Sequence, residues 1–244
     1  MQWFDGVPDR MAEGQSYTHG TIVGWLKQVR PNLSSGGYHW AIDQLIRQGA
    51  IVRKGYDEYC KAHGTDRTVY SPAYSENAIH IMEKISAKFP YVTFTVFETS
   101  LLNRFLNHLI GNNIIFLQVE KESSIYIFRY LQEEGCPNLL YKPGVEELYL
   151  YWASGMVIIT DLISEAPLRK DQPHAITLEK MLVDICADKL IASTFSKAEL
   201  PDVFDQAIES YAIDRTRMMR YARRRNKAMD INRYLQEAGT DAEG

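Results

Sequence analysis

Cysteine is scarce in this 244-residue chain: Cys60, Cys136 and Cys186 are odd in number and far apart. No C-x-x-C and no Cys/His pair at ligand spacing occurs, which excludes zinc-finger and thioredoxin-like chemistry and leaves reduced thiols as the expectation. Long apolar runs are missing too, with no window approaching the ~18 uncharged apolar residues of a membrane span. The opening MQWFDGVPDR has neither a basic nor an apolar leader segment, so no secretory signal, no membrane contact and a cytoplasmic location are expected. A glycine-rich phosphate loop of Walker or Rossmann type, a GxSxG elbow and an HExxH pair are all absent. No motif calls for a cofactor or a metal.

What is present is an average globular composition, 45% apolar and 24% charged, with enough apolar residues to build a core. The length suggests two domains, 1–70 and 71–244. The net charge of −4 is unevenly spread. Residues 19–56 carry Lys27, Arg30, Arg47, Arg53 and Lys54 against Asp43 alone, the middle is acidic, and residues 215–227 hold seven bases and no acid. An acidic centre is thus flanked by positive patches.

Residues 21–30, TIVGWLKQVR, set Ile22, Trp25, Leu26 and Val29 at helical spacing until Pro31 stops the helix. A turn follows with Ser34 or Ser35 as N-cap, and then GYHWAIDQLIRQG turns Tyr38, Ala41, Ile42, Leu45 and Ile46 to a core and ends at Gly49. AIVRKGYDEYCKA then reads as two short strands joined at Lys54-Gly55. Helix, turn, helix, hairpin is the order of a winged helix-turn-helix, whose second helix enters the major groove while the wing meets phosphates. The residues expected on DNA are Ser35, Tyr38, His39, Trp40, Gln44, Arg47, Arg53 and Lys54. Gln44 and Arg47 suit bidentate contacts to adenine and guanine, and Arg53 and Lys54 suit phosphate. The other reading of this segment is a helical hairpin with a solvated basic face. Pro8 and two glycines in the first fifteen residues signal no preceding helix.

Residues 65–75 read as a linker. Beyond it, helices expected at 76–88, 100–110, 123–134 and 145–152 alternate with strands at 91–97, 113–119, 138–141 and 156–160, the pattern of an α/β domain with a mixed or parallel sheet. The last third reads as helical, ending in one long helix over 214–236. The expected class is therefore α/β, or α+β overall: a winged helix-turn-helix, a mixed α/β domain and a helical C-terminal region. Glu98, Glu120 and Asp161 each follow an apolar strand, and three carboxylates at strand ends could hold Mg²⁺ for phosphodiester hydrolysis. This gives a metal-dependent nuclease as the alternative function. Against it, Glu120 is followed directly by Lys121 where a restriction-type site wants Glu-x-Lys, and carboxylates at such places are common N-caps.

Several stretches taken together resemble the AbiEi-type antitoxins and transcriptional regulators of type IV toxin-antitoxin (abortive-infection) systems. They are THGTIVGWLKQVRPNLSSGGYHWAIDQLIRQGAIVRKG, FTVFETSLLNRF, IIFLQVEK, VIITDLISEAPL, TLEKMLVDI and YARRR. The resemblance implies a winged helix that binds the operon's own promoter and a C-terminal domain that counters a nucleotidyltransferase-type toxin in phage defence, without chemistry of its own. It also marks 177–185 and 221–225 as signature positions. Glu179 and Asp184 there are explained equally by capping, salt bridging or partner contact. A non-catalytic interaction scaffold and a homodimer are further expectations.

On a helical wheel Arg217, Arg220, Arg223, Arg224 and Lys227 share an arc, with Met218, Met219, Ala222 and Met229 opposite. Unrelieved like charge along one helix face calls for an anion, which could be the toxin, flanking DNA or the acidic middle of the chain. The toxin is the first choice.

Overall fold

In the computed structural model the described residues are 2–12, 15–47, 50–55, 57–61, 69–106 and 108–240, with side chains at all of these except 47, 52–55, 239 and 240. The architecture is mixed, with two sheets and ten α-helices among these residues. No described helix is long and apolar enough to cross a membrane.

The first sheet is antiparallel, in the order β1 (Ser16–Tyr17), β3 (Glu58–Lys61), β2 (Ile51–Gly55). Between β1 and β2 lie α1 (His19–Val29) and α2 (Ser35–Arg47). Thr18 caps α1 by accepting from the Thr21 amide at 3.2 Å, as N-cap threonines do. Ile22 and Leu26 of α1 meet Ala41, Ile42 and Leu45 of α2 in a core of their own. No helix was expected ahead of α1. A 3₁₀ turn at Pro8–Arg10 serves instead, because the segment around it delivers Phe4, Val7 and Met11 to that core, each at most 3% exposed.

The second sheet has the order β4 (Phe94–Glu98), β5 (Ile115–Val119), β7 (Val157–Asp161), β6 (Leu139–Tyr141). It is mixed, with β4 antiparallel to β5 and β7 parallel to both β5 and β6. Side-chain alternation divides it. Phe94, Val96, Ile115, Leu117, Val119, Val157 and Ile159 pack on α3 (Glu76–Lys88) and α4 (Ser124–Glu133). The opposite face carries Phe97, Phe116 and Ile158 into a larger core. That core is covered by α5 (Val145–Leu150), α6 (Leu178–Ala187), α7 (Lys189–Ala192), α8 (Leu200–Ser210), α9 (Arg215–Arg224) and α10 (Ala228–Thr240).

Two expected helices are corrected. The one over 100–110 is only a 3₁₀ segment, Thr99–Arg104. Asn103 ends it, accepting from the Ile110 amide at 2.7 Å and donating to the Ile110 carbonyl at 3.3 Å, so a side chain takes the place of helical backbone bonds. The long helix over 214–236 is broken into α9 and α10 at residues 225–227. Asn226 takes φ 55°, Lys227 N–H bonds the Ala222 carbonyl at 2.8 Å and Asn226 N–H bonds the Arg223 carbonyl at 3.1 Å. Those two bonds are a Schellman stop with asparagine as its left-handed residue.

Candidate nucleic-acid interface

The exposed side of α2 is built by what its buried side holds. Tyr38, 3% exposed, donates to the Arg30 carbonyl at 2.9 Å and accepts from the Leu33 amide at 3.3 Å. It clasps the turn between the helices. Its expected place on DNA is thereby corrected, since its hydroxyl is spent inside the protein. Gly37 enters the same turn, where a Cβ would lie 3.3 Å from that of Leu33. Ser35, His39, Trp40 and Asp43 are exposed and Gln44 is half-buried, so five side chains one helical face apart from the core look outward. His39 donates through Nδ1 to the Ser35 carbonyl at 2.7 Å, which leaves Nε2 as the outward edge. Trp40 rests an edge on Phe4, centroids 5.7 Å apart, with 49% of its surface exposed.

The hairpin is tied to this face, as Asp57 Oδ1 accepts from the His19 amide at 2.7 Å at the start of α1. Arg47 ends α2 and Arg53 and Lys54 lie in β2, while their side chains lie outside the described residues. The backbone of β2 runs beside α9, so the two basic stretches of the sequence are neighbours in space.

On α9 the cations are mostly engaged within the chain. Arg217 donates to the Leu168 carbonyl at 2.8 Å, Arg224 to Ser164 Oγ at 2.7 Å, and Arg220 pairs with Glu165 at 3.0 Å. Lys227 pairs with Asp230 at 2.8 Å. Arg223 is exposed and has no partner among the described residues. Much of the expected anion is therefore the 164–168 loop. Met229, placed on the apolar side of one continuous helix, is 89% exposed because the break at Asn226 turns α10 to a new direction.

The strand-end carboxylates do not converge. Glu98 lies across from Ile115 at the start of β5, and Asp161 beside Val119 at its end. They are separated by four residues of strand, roughly 13 Å. Glu98 is buried and accepts from the Ser75 amide at 2.8 Å, Ser75 Oγ at 2.6 Å and Asn113 Nδ2 at 2.6 Å. It fixes the residue that caps α3. Asp161 pairs with Lys142 at 2.6 Å and Glu120 accepts from Ser123 Oγ at 2.9 Å. The trio has structural duties at opposite ends of the sheet, which corrects its expected grouping as one metal site.

Sequence reasoning missed the densest polar cluster, which lies under α9. Lys180 and Asp184 of α6 are 0% and 1% exposed and paired. Lys180 also donates to Gln118 Oε1 of β5. Tyr221 donates to Asp184 Oδ1 at 2.7 Å, and Arg225 approaches Asp184 and Asp188 at 3.6 Å each. Glu179 accepts from the Asp214 amide at 2.9 Å, and Thr177 caps α6 by accepting from the Lys180 amide at 3.1 Å. Burial pulls the Lys180 ammonium below its ordinary value and pushes the Tyr221 phenol and the Glu179 carboxyl up. Two cations face two aspartates, so the cluster is balanced, as buried charge must be. The signal available was the pair of stretches TLEKMLVDI and YARRR, which form this one cluster.

Fold and site together define a mixed α+β protein with a helix pair and hairpin at one end and a balanced ionic core at the other. The chain belongs to a family of unknown function, DUF6577, which matches residues 38–241. No curated protein and no solved structure matches it.

Proposed function

We propose that the protein is a DNA-binding transcriptional autorepressor and antitoxin that counters a nucleotidyltransferase-type toxin, with the N-terminal unit acting as a winged helix on double-stranded DNA of its own promoter. The observation that carries the DNA reading is the exposed face of α2. Ser35, His39, Trp40 and Gln44 stand outward while Tyr38, Ala41, Ile42 and Leu45 are buried. The succession β1, α1, α2, β2, β3, with β1 completing the hairpin through β3, supports it, because it props α2 beside a two-stranded wing. A helix so held presents its first turns to base edges and the wing to phosphates. The antitoxin part rests on the sequence resemblance to the AbiEi-type regulators, and the cytoplasm is the compartment that reading requires.

Titration of the full chain against its upstream DNA by fluorescence anisotropy, at several salt concentrations, tests the reading. Affinity should fall steeply with salt as condensed counterions are released and should exceed that for scrambled DNA. Equal binding to both at every salt concentration would remove the regulator.

A further inference from the structure

On the side of the second domain occupied by α5 and α8, a concave pocket of about 300 Å³ opens between Leu106, Leu109, Trp152, Phe195 and Glu199. It is built from fixed parts. Asn103 pins the 105–110 loop through Ile110, and Tyr149 donates to the Ser193 carbonyl at 3.0 Å while stacking on Trp152 at 5.8 Å and 18°. Glu199 Oε2 is buried and has no hydrogen-bond partner. Its other oxygen lies 3.7 Å from His108 Nδ1, beyond hydrogen-bond reach, and the His108 ring is 88% exposed. A buried carboxylate oxygen without a donor, in a pocket walled by aromatic and aliphatic side chains, lacks a specific partner.

We propose that this pocket binds a small organic cation, an alkylammonium or alkylguanidinium. Its N–H groups would donate to Glu199 and its apolar stem would lie along Leu106 and Leu109. Trp152 and Phe195 supply ring faces, to which cations are attracted. A neutral apolar ligand would leave Glu199 Oε2 unpaired, and an anion would be repelled by it. The volume is at the lower end for small-molecule sites, which suits a short chain with one charged head. The site stands apart from α2, so its test is independent of the DNA reading.

The test follows the indole N–H of Trp152 in proton-nitrogen correlation spectra of the full chain, assigned by its disappearance in Trp152→Phe. n-Butylguanidinium should shift it saturably in the millimolar range. N-Butylurea, of the same shape without the charge, and butyrate should leave it in place. Glu199→Gln, which removes charge at constant shape, should weaken n-butylguanidinium at least tenfold with an unchanged melting temperature, and Glu199→Asp should give a smaller loss. No saturable shift, equal binding of N-butylurea, or undiminished binding in Glu199→Gln would overturn the proposal. A blocked peptide with a central arginine that binds tenfold tighter than n-butylguanidinium would also overturn it, by making the ligand a protein side chain.

Discussion

Tyr221 donates its phenolic proton to Asp184 Oδ1 at 2.7 Å across the contact of α9 with α6. That bond joins two stretches of sequence 37 residues apart, and Asp184 is the point at which Lys180, Gln118 and Arg225 also meet. Removing the carboxylate should therefore do more damage than removing any single partner.

Asp184→Asn leaves Lys180 and Arg225 buried with half of their countercharge, and breaking a buried pair in this way costs about 3–5 kcal/mol. Tyr221→Phe removes one hydrogen bond to a charged group and should cost roughly 1.5–3 kcal/mol. Urea unfolding midpoints should rank wild type above Tyr221→Phe above Asp184→Asn. Equal midpoints for Asp184→Asn and wild type would mean that the cluster adds nothing to stability.

The pH dependence follows from burial. Tyr70, Tyr74 and Tyr221 all have phenol pKa values raised by desolvation from the ordinary 10.0. Below pH 10 both folded and unfolded tyrosines are protonated and their contribution is fully present. As pH rises past 10 the unfolded chain loses protons that the folded one keeps, so stability falls. Lys180, lowered by burial, works in the opposite direction near its unfolded value of 10.5. Melting temperature should decline from pH 10 upward, less steeply in Tyr221→Phe. A flat profile to pH 11.5 would contradict the burial of these phenols.

The elements after residue 75 were legible because helical and alternating periodicities differ plainly: α3 begins and ends where ENAIHIMEKISAK does. Strand direction was not legible. A run such as FTVFE reads the same in either direction, so nothing told that β4 is antiparallel and carries Glu98 away from Asp161. The stop at Asn226 was hidden because a left-handed asparagine leaves no mark in apolar spacing. Lys180 and Asp184, four apart on a helix, look like a solvated surface pair until Gln118 and Tyr221 close over them from β5 and α9.

Glu98 separates the structural from the nuclease account. Glu98→Gln replaces an acceptor that holds Ser75 and Asn113, and a buried group left mismatched costs about 1–3 kcal/mol. Glu120→Gln, which loses one bond to Ser123, should stay within about 0.5 kcal/mol. Thermal melts of the two variants check this, and Mg²⁺-dependent nicking by the wild type, lost in both, would restore the enzyme.

The basic helix offers a sharper contrast now that its contacts are known. Arg217 and Arg224 hold the 164–168 loop, whereas Arg223 is exposed without a described partner. Arg217→Gln with Arg224→Gln should lower stability by roughly 1–2 kcal/mol, since each loses a charge-assisted bond at a partly solvated site. Arg223→Gln should leave the melting temperature unchanged. In a growth-rescue assay with the neighbouring toxin, Arg223→Gln thus reports on partner contact without the confounding loss of fold. Impaired rescue by a fully stable Arg223→Gln supports toxin contact through α9, and impaired promoter binding instead assigns Arg223 to DNA beside the β2 wing. If Arg223→Gln rescues growth and binds promoter like the wild type, the cations of α9 serve the chain's own loop and the partner role of this helix falls.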